Sequence, residues 1–184
     1  FEKIKTNNFS EYIYEPYTET CKRYSNHDRV YDLWKEGIEK RLMVPIFHGR
    51  EHLNAQFWMR ALRDKNKSTL VGFENEVTGM PGIKGEKLPG FQAAFQIDTI
   101  DDLVYQKEVL KTGLDLFEEL YGYRSRYFVP TNGPFNNTLE KDLNEKGINI
   151  FHKLNSVNGE CTFDELYEKY IEDPSRALVD AIIV

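Results

Sequence analysis

The order of apolar segments along the chain restricts the possible folds more than any other feature of the sequence. Short apolar runs typical of buried strands alternate with longer segments in which apolar residues recur at helical spacing. Strands are predicted at residues 42–47, 91–97, 127–129 and 148–151, helices at 50–64, 99–121, 137–146 and 162–172, and a strand or buried helix from 177 onward. This alternation predicts an α/β protein with a parallel sheet.

The remaining segments fit a single domain. Residues 1–30 are polar and aromatic, and Pro16 interrupts any regular element there, so we expect a loop-rich or lid-like segment. A helix is predicted at 28–41, with Asp28 as its N-cap. Residues 65–90 hold five Gly and two Pro, which predicts a surface or active-site insertion. With 184 residues, the chain is long enough for one domain with a real core.

Charge and composition exclude several classes of partner. A net charge of −6 without any basic block argues against a nucleic-acid partner. No apolar run approaches the roughly 18 residues of a membrane span. Cys21 and Cys161 form neither a metal-like spacing nor a disulfide framework, and unpaired cysteines in an acidic chain are compatible with the cytoplasm. The chain starts without Met and stops within a strand-like run, so we expect a fragment of a longer protein.

Two of the four histidines, His48 and His52, lie four residues apart, directly after the strand predicted at 42–47. In α/β folds, ligand chemistry collects at the carboxyl ends of strands. If the helix predicted at 50–64 has begun there, residues i and i+4 share one face of it. Both imidazoles could then reach one divalent metal ion.

Three interpretations of this histidine pair stay open from the residues alone. The pair could be a metal site on a parallel-sheet scaffold, or two structural histidines that bond backbone or carboxylates at a turn. The string His-Gly-Arg-Glu-His at 48–52 also matches the H-x-x-E-H pattern of certain metallopeptidases. That pattern needs His48 and Glu51 on a helix, which Pro45 and Gly49 disfavour.

Two motifs carry a resemblance to a known family. Residues 46–53, Ile-Phe-His-Gly-Arg-Glu-His-Leu, are similar to an H-[ST]-x-x-H metal motif, and residues 126–133, Arg-Tyr-Phe-Val-Pro-Thr-Asn-Gly, are similar to an F-R-P-P-Y-G motif. Both motifs belong to the polysaccharide deacetylase (NodB-like carbohydrate esterase) superfamily. The chain resembles a bacterial subgroup of these deacetylases over about residues 10–155, most specifically around 31–54.

The resemblance implies a distorted (β/α) barrel of about seven strands, incomplete in this chain, with residues 1–184 as one partial deacetylase-like catalytic domain. It implies one divalent metal ion, often zinc, held by an Asp and by His48 and His52. The reaction would remove an acetyl group from an amino sugar or a sugar ester, so the partner would be a carbohydrate. The metal would polarise the acetyl carbonyl and activate water, and an Asp would serve as base. The substrate-binding positions implied by the motifs are Arg50, Asn54, Pro130 and Asn132.

The chain also departs from the family pattern. The T-F-D-D motif that supplies the metal Asp and the base is not found in residues 1–47, so we expect both upstream of Phe1. Asp98, at the end of the strand predicted at 91–97, is an alternative ligand or base, although a role at the start of the next helix competes with it. In the second motif, Val129 and Asn132 stand where the family has Arg and Tyr. These losses leave a second hypothesis open, a catalytically degraded glycan-binding or polysaccharide-assembly protein.

Overall fold

A computed structural model describes residues 1–82, 84–85 and 90–151 of the chain. The helices are α1 (Glu2–Thr6), α2 (Tyr17–Lys22), α3 (Val30–Glu39), α4 (Ala55–Arg63), α5 (Lys67–Glu74), α6 (Ile100–Tyr121) and α7 (Glu140–Glu145), and the strands are β1 (Tyr127–Phe128) and β2 (Ile150–Phe151). A 3-10 turn at Asn137–Leu139 leads into α7. The helix predicted at 162–172 and the tail from 177 lie outside the described residues.

The strands are short, and all of their pairings are parallel. Strand β1 pairs with β2, and Phe47 adds an isolated parallel bridge to Phe128. The Val129 N–H also donates to the Phe47 carbonyl at 3.2 Å. The described part of the chain is about half helical, and its strand segments do not form a barrel. The incomplete (β/α) barrel therefore stays a prediction.

Two predicted strands are wrong in length or in kind. The strand predicted at 42–47 is reduced to the bridge at Phe47, and residues 91–97 form no strand. Their apolar residues are buried all the same, with Phe91 and Phe95 exposed by only 3% and 1%. An apolar run in the sequence indicates that the segment is buried, but it does not fix the backbone conformation. An irregular segment can be buried as fully as a strand.

The long helix α6 follows its prediction closely. Thr99 is its N-cap, and the Asp102 carboxylate accepts hydrogen bonds from the backbone N–H groups of Asp98 and Thr99 at 2.9 and 3.0 Å. Gly122 ends the helix in the left-handed conformation, with φ of 76°. Neither α6 nor any shorter helix within the described ranges is long and apolar enough to cross a membrane.

The starts of two other helices differ from their predictions. Helix α4 begins at Ala55, five residues later than predicted, because the Asn54 side chain accepts from the Phe57 N–H at 3.1 Å and caps the helix there. Helix α3 begins at Val30 after Arg29, so the predicted cap at Asp28 is wrong.

A helix that the composition did not indicate, α5, lies inside the Gly/Pro-rich segment at 65–90. Its N-cap is Asn66, whose side chain accepts from the Thr69 N–H at 2.9 Å. Gly72 is needed for packing, since a Cβ there would lie 2.3 Å from the Cα of Gly79. The glycine content of this segment therefore reflects close backbone contact as well as turns.

Among the residues that the structure describes, buried apolar side chains form two clusters. The first packs Phe47, Phe95 and Phe128 against α6 and α7. The second packs Trp58 of α4 against α1, α5 and Phe91. Residues 48–54 connect Phe47 of the first cluster to α4 of the second, so both ends of the histidine segment are anchored in a core.

Candidate functional site

His48 directly follows the bridge residue Phe47, and its ring has a defined orientation. Its Nδ1 lies 2.7 Å from the carbonyl oxygen of Val129. A carbonyl only accepts, so Nδ1 carries the proton and Nε2 keeps the lone pair. That Nε2 is buried and has no hydrogen-bond partner among the described residues.

The surroundings of His48 also keep it uncharged. Burial lowers its pKa below the ordinary value, the Val129 carbonyl partly opposes this, and the nearby His52 lowers the pKa further. The ring is therefore neutral near pH 7, which is the form that binds metal ions.

His52 lies in the irregular segment before α4, and its ring faces that of His48. The two ring centroids are 5.4 Å apart. The His52 Nδ1 is buried, and no part of the chain that the structure describes forms a hydrogen bond with it. The predicted helical turn at this point is wrong, because α4 begins only at Ala55. The two imidazoles are nevertheless adjacent, through the path of the loop and not through helical spacing.

The donor atoms of this pair fit a metal ion. Leaving a buried polar group without a partner costs about 1–3 kcal/mol, so two such nitrogens on neighbouring rings are unusual in a native protein. Imidazoles bind zinc at about 2.0–2.1 Å, and two that share a tetrahedral ion would have centroids roughly 5 Å apart, close to the observed 5.4 Å. The bond from His48 Nδ1 to a backbone carbonyl is the usual outer support of a metal-binding histidine.

The third ligand that the resemblance implies is not found near the pair. Within residues 1–82, 84–85 and 90–151, no three or more His, Cys, Asp or Glu side chains form a group that could hold a metal ion. The described residues therefore supply two nitrogen ligands and leave the carboxylate unassigned.

Between the histidines, Arg50 and Glu51 form a buried ion pair. The guanidinium donates from Nε and Nη2 to the two carboxylate oxygens at 2.6 and 2.9 Å. The two side chains are exposed by only 7% and 11%. Burial alone would lower the pKa of Arg50, but the Glu51 carboxylate outweighs it and raises the pKa above the ordinary value. The guanidinium therefore stays charged.

Arg50 also fastens the segment to α6. Its Nη1 donates to the Thr112 hydroxyl at 2.9 Å, and its Nη2 donates to the Tyr105 hydroxyl at 3.0 Å. The Tyr14 ring covers the guanidinium at 4.1 Å. Gly113 permits this contact, because a Cβ there would lie 2.9 Å from the Arg50 Cβ and 3.0 Å from the Phe47 ring. Arg50 thus holds the loop that carries the histidines.

These supporting residues on α6 were missed by the sequence interpretation. Tyr105 and Thr112 lie 55 and 62 positions from Arg50, and no local pattern connects them. The one available signal was Gly113, a glycine within a long helix, which commonly marks a close approach of another segment.

The predicted substrate-binding residues have different environments. The Asn54 side chain caps α4 and donates to the carbonyls of Ala93 and Gln96 at 3.1 and 2.9 Å, so its bonds go to the protein itself. Pro130 is buried, and Asn132 is exposed in a turn with positive φ. This turn follows Val129, which contacts His48. Substrate contacts at Arg50, Asn54, Pro130 and Asn132 stay predictions.

Asp98, the other predicted ligand or base, lies at the start of α6. Its carboxylate accepts a hydrogen bond from Arg60 of α4 at 3.0 Å, and the same guanidinium bonds Asp102. Asp98 is exposed and the capping carboxylate is that of Asp102, not Asp98. Its role in chemistry stays a prediction.

The structure therefore brings together His48, His52 and the turn after Val129. Arg50 and Glu51 lie between the two histidines and fasten this loop to α6. Comparison of the chain with models of protein families, with curated proteins and with solved structures gave no match.

Proposed function

We propose that the chain is part of a metal-dependent hydrolase that resembles polysaccharide deacetylases and removes acetyl groups from an amino sugar or a sugar ester. The observation that carries this proposal is the pair of buried imidazole nitrogens without partners in the described structure, His48 Nε2 and His52 Nδ1, on rings 5.4 Å apart. The motif similarity around residues 46–53 supplies the reaction class.

His48 and His52 would hold one divalent ion, for which zinc is the first choice because both ligands are imidazoles. When bound, such an ion polarises an acyl carbonyl and lowers the pKa of a bound water. The protein's own contribution is to keep His48 neutral by burial and to orient its ring through the Val129 carbonyl. Arg50 and Glu51 hold the loop so that both rings keep their positions.

The carboxylate ligand and the general base belong to the same proposal, but they are assigned to no described residue. The resemblance expects both upstream of Phe1. Asp98 is a poorer choice, since its carboxylate is bound by Arg60 at 3.0 Å.

The metallopeptidase alternative lacks support from the geometry. Its pattern requires both histidines and the glutamate on one helix, whereas residues 48–52 are irregular. Glu51, which would be the base, is bound by Arg50 at 2.6 Å. We therefore keep only the glycan-binding protein without turnover as the competing hypothesis.

The test is a zinc titration of the purified chain by calorimetry, with metal content checked by mass spectrometry after dialysis. His48→Ala and His52→Ala should each weaken zinc binding by about 100-fold or more, because each removes one nitrogen ligand. His27→Ala is the matched control, since His27 is exposed and its ring lies beside that of Tyr24, away from the histidine pair in the sequence. Wild-type protein that is folded but binds no zinc would contradict the proposal.

Acetate release from an acetylated chito-oligosaccharide then separates the two hypotheses. Release that depends on zinc and on His48 supports the hydrolase. Stoichiometric zinc binding without acetate release favours the glycan-binding protein.

A further inference from the structure

A cavity of about 510 Å³ lies next to the histidine segment, between the N-terminal segment and helices α4 and α6. Tyr12 and Tyr14 of the N-terminal segment line the cavity, together with Gln56 and Arg63 of α4 and Tyr105 of α6. Arg50 also lines the cavity, so a ligand bound there would adjoin the loop that carries His48 and His52. Cavities of roughly 300–1,000 Å³ are typical of small-molecule sites.

The polar groups around this cavity fall into two kinds. Arg50 uses four of its five N–H donors on Glu51, Thr112 and Tyr105. The Tyr12 hydroxyl and the Gln56 amide, in contrast, form no hydrogen bond with the part of the chain that the structure describes. Burial, with a smaller effect of Glu51, raises the pKa of Tyr12, so its hydroxyl stays protonated. These groups are available to a ligand.

The charges lining the cavity indicate what the ligand carries. The charge of Arg50 is offset by Glu51. Arg63 and Glu11 are both exposed, are of opposite charge, and form no ion pair within the described ranges; Arg63 donates only to the Phe9 carbonyl, at 3.1 Å. A guanidinium with remaining donors recognises a carboxylate. Glu11, which also lines the cavity, can accept hydrogen bonds from hydroxyl groups.

We propose that this cavity binds a sugar ring that bears a carboxylate, of the uronic acid type. Arg63 would bind the carboxylate, while Tyr12, Gln56 and Glu11 would bind hydroxyl groups. The tyrosine rings would cover the apolar face of the sugar. This inference rests on the proposed function for carbohydrate as the ligand class, and it deepens it by making an acidic sugar one unit of the substrate.

Glucuronic acid and glucose are the matched probes, because they share one ring and differ in the carboxylate. Binding is measured by calorimetry or saturation-transfer NMR on the full chain, with EDTA present to remove metal ions. We expect wild-type protein to bind glucuronate at least about tenfold more tightly than glucose, a difference that one charge-assisted bond accounts for. The preference for glucuronate should decrease in 0.5 M NaCl, which is about 3- to 5-fold the physiological ionic strength. Salt at this concentration screens the contact between the Arg63 guanidinium and the sugar carboxylate.

Variants then locate the contact. Arg63→Gln should abolish the preference for glucuronate, and Arg63→Lys should keep part of it. Tyr12→Phe keeps the ring against Trp58 and should weaken both sugars. Arg126→Gln is the matched control, because it removes the same charge from an exposed arginine that does not line the cavity.

Equal affinity for the two sugars, glucuronate binding weaker than about 10 mM, or a preference that survives Arg63→Gln and high salt would each overturn the inference. Because the binding is measured without metal, its failure is distinct from that of the proposed function. Zinc binding with no glucuronate preference contradicts only the cavity inference, and glucuronate preference with no zinc binding contradicts only the metal-dependent hydrolase.

Discussion

Residues 48–52 contain two pairs of polar side chains, which differ in whether their buried polar atoms have hydrogen-bond partners. Arg50 and Glu51 satisfy each other and reach Thr112 and Tyr105 on α6. His48 and His52, on either side of them, each keep a buried nitrogen that has no partner in the described structure. Hydrogen bonds within the protein, as at Arg50 and Glu51, indicate a structural role. We propose that the two imidazole nitrogens without partners in the described structure bind a ligand.

Arg50→Ala should produce the largest loss of stability, about 3–5 kcal/mol in the free energy of unfolding, because it leaves the Glu51 carboxylate buried without its partner. The double change Arg50→Met with Glu51→Leu should cost much less, since no charge then remains buried. Urea denaturation followed by circular dichroism measures both. Similar losses for the single and double variants would contradict a mainly structural role for the pair.

Asn54→Ala should cost about 2–3 kcal/mol, because it removes the cap of α4 and also the two hydrogen bonds that the Asn54 amide donates to the carbonyls of Ala93 and Gln96. Asn66→Ala, which removes the cap of α5, serves as comparison and should cost about 1 kcal/mol. Equal unfolding free energies for the two variants would show that the bonds of Asn54 to residues 93 and 96 contribute nothing.

Gly113→Ala should cost about 1–2 kcal/mol, since the new Cβ would lie 2.9 Å from the Arg50 Cβ and push the loop from α6. The same change should weaken zinc binding without removing a ligand. Thr112→Val, which deletes the hydroxyl that accepts from Arg50 and donates to the Glu108 carbonyl at 2.8 Å, should cost about 1 kcal/mol. A Gly113→Ala variant as stable as the wild type would contradict the close packing of the loop.

The smallest effect concerns pH. The pKa of His48 is lower in the folded chain than its ordinary value near 6.5, so the unfolded state binds more protons between the two values. The metal-free protein should therefore lose stability as pH falls below about 6.5, and the loss should level off below the folded pKa. His48→Gln should flatten this dependence, measured by urea denaturation from pH 7.5 to pH 5. A wild-type slope unchanged in the variant would contradict a buried neutral His48.

Sequence patterns predicted the features that depend on neighbouring residues. Helix α6 from the Thr99 cap to Gly122 could be identified from periodicity and caps, which depend on residues a few positions apart. Strands β1 and β2 could be identified from their apolar runs, although they pair with each other across 23 positions. The spacing of His48 and His52 indicates the pair, but the helical turn expected there is wrong.

The features that the patterns missed depend on tertiary contacts. The His48 tautomer follows from Val129, 81 positions away, and the anchoring of Arg50 follows from residues more than 50 positions away. The late start of α4 follows from Asn54, whose side chain also joins the segment at 93–96. Residues 91–97 are buried as predicted but make no strand, because burial there comes from packing and not from a hydrogen-bonded ladder.

We propose that His48 Nε2 and His52 Nδ1 are free to bind a metal ion. Long-range nitrogen–proton NMR correlations of the histidine rings, recorded before and after one equivalent of zinc, test it most directly. We predict a neutral His48 with its proton on Nδ1, and zinc-induced shifts at His48 Nε2 and His52 Nδ1 but not at His27. A His48 ring protonated on Nε2, or rings that do not respond to zinc, would contradict the claim.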